Sequence, residues 1–433
     1  MSSGVAFLFP GQGSYLPGVF AGLGADADRI SDRVAEIDAV AAEYQLKPVQ
    51  PLLFSPDAPS LGQLLESDHE RLDVAILATS VALAALLESR YGLTPDHVLG
   101  HSLGEFGALA VAGVFTPADA ARAVCERHAT LRKAPPPVGG MLAVGTDPAR
   151  AEELIASAGA ATTAVSAHNA TKQSVVSGAG AELEKVRQAA REVGIRTSRL
   201  SVPGPFHTPQ LAEASALYAT TMRTVRMSAP RERFFYSHGL GRFLTAADDV
   251  VELMVADMTR PVRFHEAVYA LHAEGVTTFV ECGALDVLTR IVSTSLPSAV
   301  TAAPLRESTV TSDLSDRLRP VLHSADADAA APITETAATA TVADADILET
   351  VRAVCAEILE YPPEVITDDA DFQADLGVDS LAMTELLERA LRTYDLSDMF
   401  HVANAGNYDT VAELAALVTG LLRDGAAPAS ERR

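Results

Sequence analysis

The stretch His97-Val98-Leu99-Gly100-His101-Ser102-Leu103-Gly104-Glu105 decides how the chain folds. Its apolar start reads as a short strand, and 103–112 reads as a helix. Between them lies G-x-S-x-G, the pattern of a sharp strand-to-helix elbow that lifts a serine hydroxyl above a sheet. Gly100 and Gly104 flank the serine so that strand and helix can approach closely. The backbone N–H of Leu103, just after the serine, is then available to an oxyanion. Taken alone, the pentapeptide fits equally a glycine-containing turn with an N-capping serine.

The same rhythm recurs on either side. Val5-Ala6-Phe7-Leu8-Phe9 runs into Pro10-Gly11, and Thr278-Phe279-Val280 runs into Glu281-Cys282-Gly283. Helical apolar spacing fills 75–87 and 117–131. Strand, turn and helix in alternation predict an α/β domain over about 1–305, a sheet with helices on both faces. Within it, 138–202 forms a distinct unit. Strands are predicted at 141–144, 163–167, 174–178 and 196–200, with helices at 148–158 and 181–193. That β-α-β-β-α-β order is the split βαβ, ferredoxin-like pattern. The large subdomain is therefore expected at 1–137 and 203–305, with the small one inserted at 138–202.

Composition changes past this region. The twenty residues 324–343 hold nine Ala and four Thr, with Pro332 and no Gly or aromatic residue. Little there can be buried, so 306–345 reads as a linker. As a flexible chain, its 40 residues would reach roughly 35 Å. Beyond it, apolar stripes at helical spacing mark three helices. They hold Val351, Val354 and Cys355, then Leu386, Leu387, Ala390 and Leu391, then Val411, Leu414, Val418 and Leu421. A separate small all-α bundle is expected over 346–423.

The 33 basic and 57 acidic residues give a net charge of −24. Half of that deficit lies in 346–423, with sixteen acids, four Arg and no Lys for a net −12. Such a chain lacks the basic footprint of a nucleic-acid binder and does not suit an anionic membrane. Three scattered Cys are too few for a disulfide framework or a thiolate metal site, and no metal is expected. The first nine residues lack the basic start of a signal peptide. The longest apolar run, at 75–87, falls short of the about 20 residues of a membrane span. A cytoplasmic protein is expected.

A serine nucleophile needs a base and an oxyanion hole. Among eleven His, His207 stands in a Pro/Gly-rich loop, Val202-Pro203-Gly204-Pro205-Phe206-His207-Thr208-Pro209, after a predicted strand. Loops held by a rigid sheet are where catalytic groups tend to lie. Phe9-Pro10-Gly11-Gln12-Gly13-Ser14 makes a tight turn with exposed N–H groups, and no Lys follows as in a phosphate-binding loop. Singly, each has a plain reading as a hydrogen-bonded loop histidine or a turn.

Together, Gly11-Gln12-Gly13-Ser14, Gly100-His101-Ser102-Leu103-Gly104-Glu105, Arg127 and Phe206-His207 resemble the malonyl-CoA:acyl-carrier-protein acyltransferase family. That family includes the acyltransferase domains of polyketide and fatty acid synthases. The resemblance covers about 1–305. It implies an α/β-hydrolase-like parallel sheet domain with an inserted ferredoxin-like subdomain. Ser102 is then the nucleophile and His207 the general base, oriented by a backbone carbonyl rather than a carboxylate. The N–H groups of Gln12 and Leu103 form the oxyanion hole. Arg127 grips the free carboxylate of malonyl, a task for which a planar guanidinium fork is suited and an ammonium is not. Phe206 resembles the malonyl-selective form of its motif, leaving less room for an α-methyl branch. A substituted malonyl group is the alternative substrate.

Three positions depart from the family pattern. Asp73-Val74 stands where a Gln-Pro pair is usual, and an acid there would repel a substrate carboxylate unless it faces elsewhere. His128 replaces a Gly after the Arg. Asp257 replaces a Gln or Asn whose backbone carbonyl orients the catalytic His.

Asp375-Leu376-Gly377-Val378-Asp379-Ser380-Leu381 precedes the second stripe of the helical unit. Ser380 fits a helix N-cap. The Leu-Gly-x-Asp-Ser-Leu pattern in a small acidic helical domain resembles acyl and peptidyl carrier proteins. That implies 4′-phosphopantetheine on Ser380, attached by a phosphopantetheinyl transferase. The implied partners are malonyl-CoA and CoA and, with no ketosynthase in this sequence, a ketosynthase or other downstream synthase. A proofreading acyl hydrolase of the same fold is the rival reading, although Arg127 has no use in clearing non-carboxylated acyl groups.

Overall fold

In the computed structural model of the chain, residues 4–306, 314–322, 342–359, 380–394 and 410–425 are described, with single positions between 366 and 378. The chain divides into two compact units near residue 327.

The first unit opens with β1 (Gly4–Phe9), then α1 (Ala25–Glu43), α2 (Gln50–Phe54), α3 (Leu61–Ser67) and α4 (His69–Tyr91). β2 (His97–Gly100), α5 (Gly104–Val111) and α6 (Pro117–Lys133) follow. The inserted part runs β3 (Gly139–Val144), α7 (Pro148–Ser157), β4 (Ala164–Ala170), β5 (Gln173–Ala179), α8 (Gly180–Glu192) and β6 (Thr197–Leu200). The chain returns through α9 (Ala212–Met222), β7 (Tyr236–Ser237), β8 (Arg242–Phe243), α10 (Val250–Asp257), β9 (Val262–Arg263) and α11 (Phe264–Ala273). It closes with β10 (Val276–Glu281), α12 (Val287–Ser295), β11 (Val300–Ala302) and α13 (Ser315–Leu322).

The large sheet has the order β11-β10-β1-β2, all parallel. β1 is central, and Ala6, Phe7, Leu8 and Phe9 are fully buried, as a strand covered on both faces requires. Register pairs Phe9 with Gly100 and Leu8 with Glu281, so the elbow and the β10 end lie beside the Pro10-Gly11 turn. α4 is the core helix, extending the expected 75–87 run to 23 residues. By length and composition α4 could cross a membrane, but 83% of its apolar window is buried inside this unit. α6 starts at Pro117 behind Thr116, whose hydroxyl accepts from the Asp119 N–H at 3.1 Å. Such caps are worth about 1 kcal/mol and fix where Arg127 emerges.

The inserted strands follow the order β6-β3-β5-β4, that of the split βαβ pattern. Their helices close a separate small core with Leu142, Leu154, Val176 and Val186. One strand was not expected. β9, from the returning chain, pairs in parallel with β4 through Ala167 and Val262 and ties the inserted sheet to the large subdomain.

The expected linker at 306–345 needs correction. It contains α13, whose Leu318 and Val321, with the preceding Leu314, are buried in the large core. Three apolar residues at i, i+4 and i+7 suffice to dock a short helix. α14 (Val342–Leu359) also begins before the expected boundary, which leaves 323–341 outside the described residues.

The second unit holds α14, α15 (Ser380–Thr393) and α16 (Val411–Gly425). The three apolar stripes meet in one core, with Val351, Cys355, Phe372, Leu386, Leu387, Leu414 and Val418 fully buried.

Candidate active site

The elbow is built by close approach. A Cβ on Gly100 would lie 2.4 Å from Glu105 Cα, and one on Gly104 would lie 1.9 Å from Phe9 O. Only glycine lets β1, β2 and α5 meet there. Ser102 itself sits at φ +53°, a left-handed conformation that costs an ordinary residue about 1–2 kcal/mol. The strain turns its hydroxyl out of the sheet edge toward His207, which also has positive φ, +58°.

Ser102 Oγ lies 2.6 Å from His207 Nε2. His207 Nδ1 lies 2.7 Å from the main-chain oxygen of Asp257, at the end of α10. A carbonyl only accepts, so Nδ1 carries the proton and Nε2 accepts from the serine. His207 is buried, and burial lowers its basicity. Asp257 opposes that, while Arg127 and His238 add to it.

The turn at 10–13 touches the elbow. A Cβ on Gly11 would lie 2.8 Å from His101 O and 3.5 Å from Leu103 N. The turn therefore brings the backbone of Gln12 to the same corner as the Leu103 N–H. The Gln12 side chain donates to both Asp73 carboxylate oxygens at 2.9 Å. Asp73 is buried on α4, and its Oδ2 lies 3.1 Å from His128 Nε2 on α6. The acid at position 73 is thus engaged by the Gln12 amide, with His128 beside it. Arg127, also buried, stacks its guanidinium carbon 5.3 Å from the Phe206 ring centre. Its Nε has no hydrogen-bond partner among the described residues. A buried donor left open in this way is ready for an anionic ligand.

A cleft of about 770 Å³ reaches His207 between the two subdomains. Pro209, Pro261 and Arg263 line one side, and Ile155, Val165 and His168 the other. His101, beside the serine, donates through Nε2 to Asn169 Oδ1 at 2.9 Å, and burial pushes its pKa down to about 4. It stays neutral and ties the elbow to β4.

The structure therefore brings together Ser102, His207, Gln12, Leu103, Arg127 and Phe206. Ser380 opens α15 in the second unit. Sequence reasoning missed a buried trio behind His207. His238 Nε2 lies 3.2 Å from Glu105 Oε1 and 3.4 Å from Asp257 Oδ1. Glu105 directly follows the elbow, the one local signal for it.

A family model for the acyl transferase domain matches residues 6–327, and one for the phosphopantetheine attachment site matches residues 349–418. The chain is 30% identical over 295 residues to a malonyl CoA-acyl carrier protein transacylase of Bacillus subtilis, across 67% of this chain and 90% of that protein. It is 35% identical over 293 residues to a spectinabilin polyketide synthase system protein of Streptomyces orinoci, of which it spans only 8%. A malonyl-CoA:acyl carrier protein transacylase structure from Xanthomonas oryzae pv. oryzae aligns at 28% identity with TM-score 0.64, over 70% of this chain and 95% of that one.

Proposed function

Because this chain belongs to the acyl transferase domain family and has a phosphopantetheine attachment domain behind it, we propose that it transfers malonyl from malonyl-CoA to its own carrier domain. The setting is polyketide or related biosynthesis. The observation that carries this reading is the 2.6 Å contact between Ser102 and His207, formed beside a buried arginine.

In the first half-reaction Ser102 Oγ attacks the thioester carbonyl while its proton passes to His207 Nε2. The carbonyl oxygen takes up negative charge and is received by the N–H groups of Gln12 and Leu103. Collapse breaks the C–S bond, and the CoA sulfur leaves with the proton that His207 held. Arg127 pairs with the distal carboxylate of the malonyl group throughout. The Phe206 ring packed on that guanidinium limits its freedom and the space for a branch at the α-carbon.

Ser380 stands at the start of a 14-residue helix, where the positive helix end suits an attached phosphate. When bound there, 4′-phosphopantetheine supplies the thiol that accepts the acyl group. A phosphopantetheinyl transferase is required upstream and a ketosynthase or other synthase downstream.

Intact-mass analysis of the phosphopantetheinylated chain with competing malonyl-, methylmalonyl- and acetyl-CoA tests the reading. Malonyl is expected on Ser102 and on the carrier. Ser102→Ala should lose both, and Ser380→Ala should keep the serine ester. Loading of added free carriers without loading of Ser380 defeats transfer in cis. Release of the acyl group to water in place of transfer favours the hydrolase.

A further inference from the structure

We propose that the Asp257 carboxylate, held by His238, is a positioning residue that strengthens His207 as a base, so that the site works as an electrostatic triad. The inference rests on the Ser102–His207 reading above. Asp257 reaches the histidine twice. Its main-chain oxygen accepts from Nδ1 at 2.7 Å, and its own Oδ1 lies 3.7 Å from the same nitrogen. The first contact fixes the ring. The second places a negative charge against the ring edge that becomes cationic when the serine proton arrives.

The carboxylate is itself held. The Arg263 N–H donates to His238 Nδ1 at 3.3 Å, so that nitrogen has no proton and Nε2 carries it. Nε2 lies 3.2 Å from Glu105 Oε1 and 3.4 Å from Asp257 Oδ1, within ion-pair distance of both carboxyl groups though aligned for a hydrogen bond to neither. The three donor atoms lie close enough together for a metal ion. The tautomer argues against one, because it leaves no lone pair on Nε2.

Charge settles on Asp257 rather than on Glu105. Glu105 is wholly buried, and desolvation pushes its pKa up, which favours its protonated form. Burial also works against an ionised Asp257, but His207, His238 and Arg127 together hold its carboxyl below the usual range. The groups that face His207 are then Arg127 from α6, His101 from the elbow, His238 and Asp257. The carboxylate is the only anion among these four, so the imidazolium depends on it.

Asp257→Asn tests this, since it keeps the main-chain carbonyl and removes the charge. Single-turnover acylation of Ser102 by malonyl-CoA is followed against pH, alongside Ser102 labelling by a fluorophosphonate, which needs no acyl donor. The expected result is a plateau at least about tenfold lower in both assays. The ascending limb should move down by about one pH unit. His238→Leu should shift the limb the same way, and His238→Gln, whose amide reaches where Nε2 does, should recover much of the loss. This second pair carries the test if Asp257→Asn does not fold. A wild-type limb position in these variants overturns the proposal, whether or not the rate falls, because a merely structural role lowers rate and stability without moving it. Wild-type protein that labels with fluorophosphonate but takes no malonyl defeats the proposed function and leaves this inference standing.

Discussion

Gly104→Ala sets two known effects against each other. Gly104 begins α5, and an alanine inside a helix gains up to about 1 kcal/mol over glycine. Against that, the new Cβ would lie 1.9 Å from Phe9 O, 2.5 Å from Phe9 C and 2.8 Å from Pro10 O. All three are backbone atoms, so no side chain can rotate away. Phe9 O also accepts the His101 N–H at 2.9 Å, and β1 is paired on both sides by β2 and β10. A tolerable contact needs more than about 3 Å, so α5 must shift by over an ångström. Overpacking of this kind costs about 1–3 kcal/mol, which exceeds the propensity gain. A displacement of about 1 Å at the nucleophile can cost about a hundredfold in rate. We therefore expect Gly104→Ala to unfold at lower urea than wild type and to label Ser102 with fluorophosphonate at least tenfold more slowly. A variant as stable as wild type with unchanged labelling would show that backbone contact does not build the elbow.

Gly420 supplies the opposite case. It lies inside α16 with open space where a Cβ would go, so Gly420→Ala should stabilise the carrier unit by about 1 kcal/mol in urea unfolding. Glu105→Gln should remove a pH dependence. Glu105 has its pKa raised by burial from 4.5 to about 8, so the folded state holds its proton more tightly than the unfolded chain between those values. Wild-type stability relative to the variant is therefore greatest near pH 4.5 and is lost as pH rises to about 8, by up to about 1.4 kcal/mol per pH unit. Urea unfolding at pH 5 and pH 8 reads the difference, and a gap that does not change with pH refutes it. Arg127→Ala should slow malonyl transfer to Ser102 by at least about 30-fold, the loss of one buried charge-assisted pair, while acetyl transfer is spared. Equal slowing of both acyl groups in a competition read by mass would remove the carboxylate role.

How far the chain could be read depended on how local each cause was. The elbow was legible because its G-x-S-x-G spacing is local, with Gly100 set against Glu105 five residues on, although Gly104 is dictated by Phe9 of β1. The stripes at Leu386, Leu387, Ala390 and Leu391 were legible because a helix repeats locally. α13 was missed because eight residues with an internal Pro320 give a weak signal inside an Ala/Thr-rich stretch. β9 was missed because two residues have no periodicity, and only the register with Ala167 makes them a strand. The departures from the family pattern resisted for another reason. Asp73 is a liability alone, and so is a histidine at 128, but α4 and α6 put them 3.1 Å apart. Asp257 likewise looks like a lost amide until His238, from a distant turn, is placed 3.4 Å from its carboxylate. Each odd residue is answered by another across the fold, so the substitutions are better read in pairs than one at a time. Read so, Asp73 does not argue against an anionic substrate. Its carboxylate is engaged by Gln12 and faced by His128, while the Arg127 Nε remains buried with no partner among the described residues. The arginine therefore keeps hydrogen-bonding capacity for an anion, which is the arrangement a malonyl carboxylate needs.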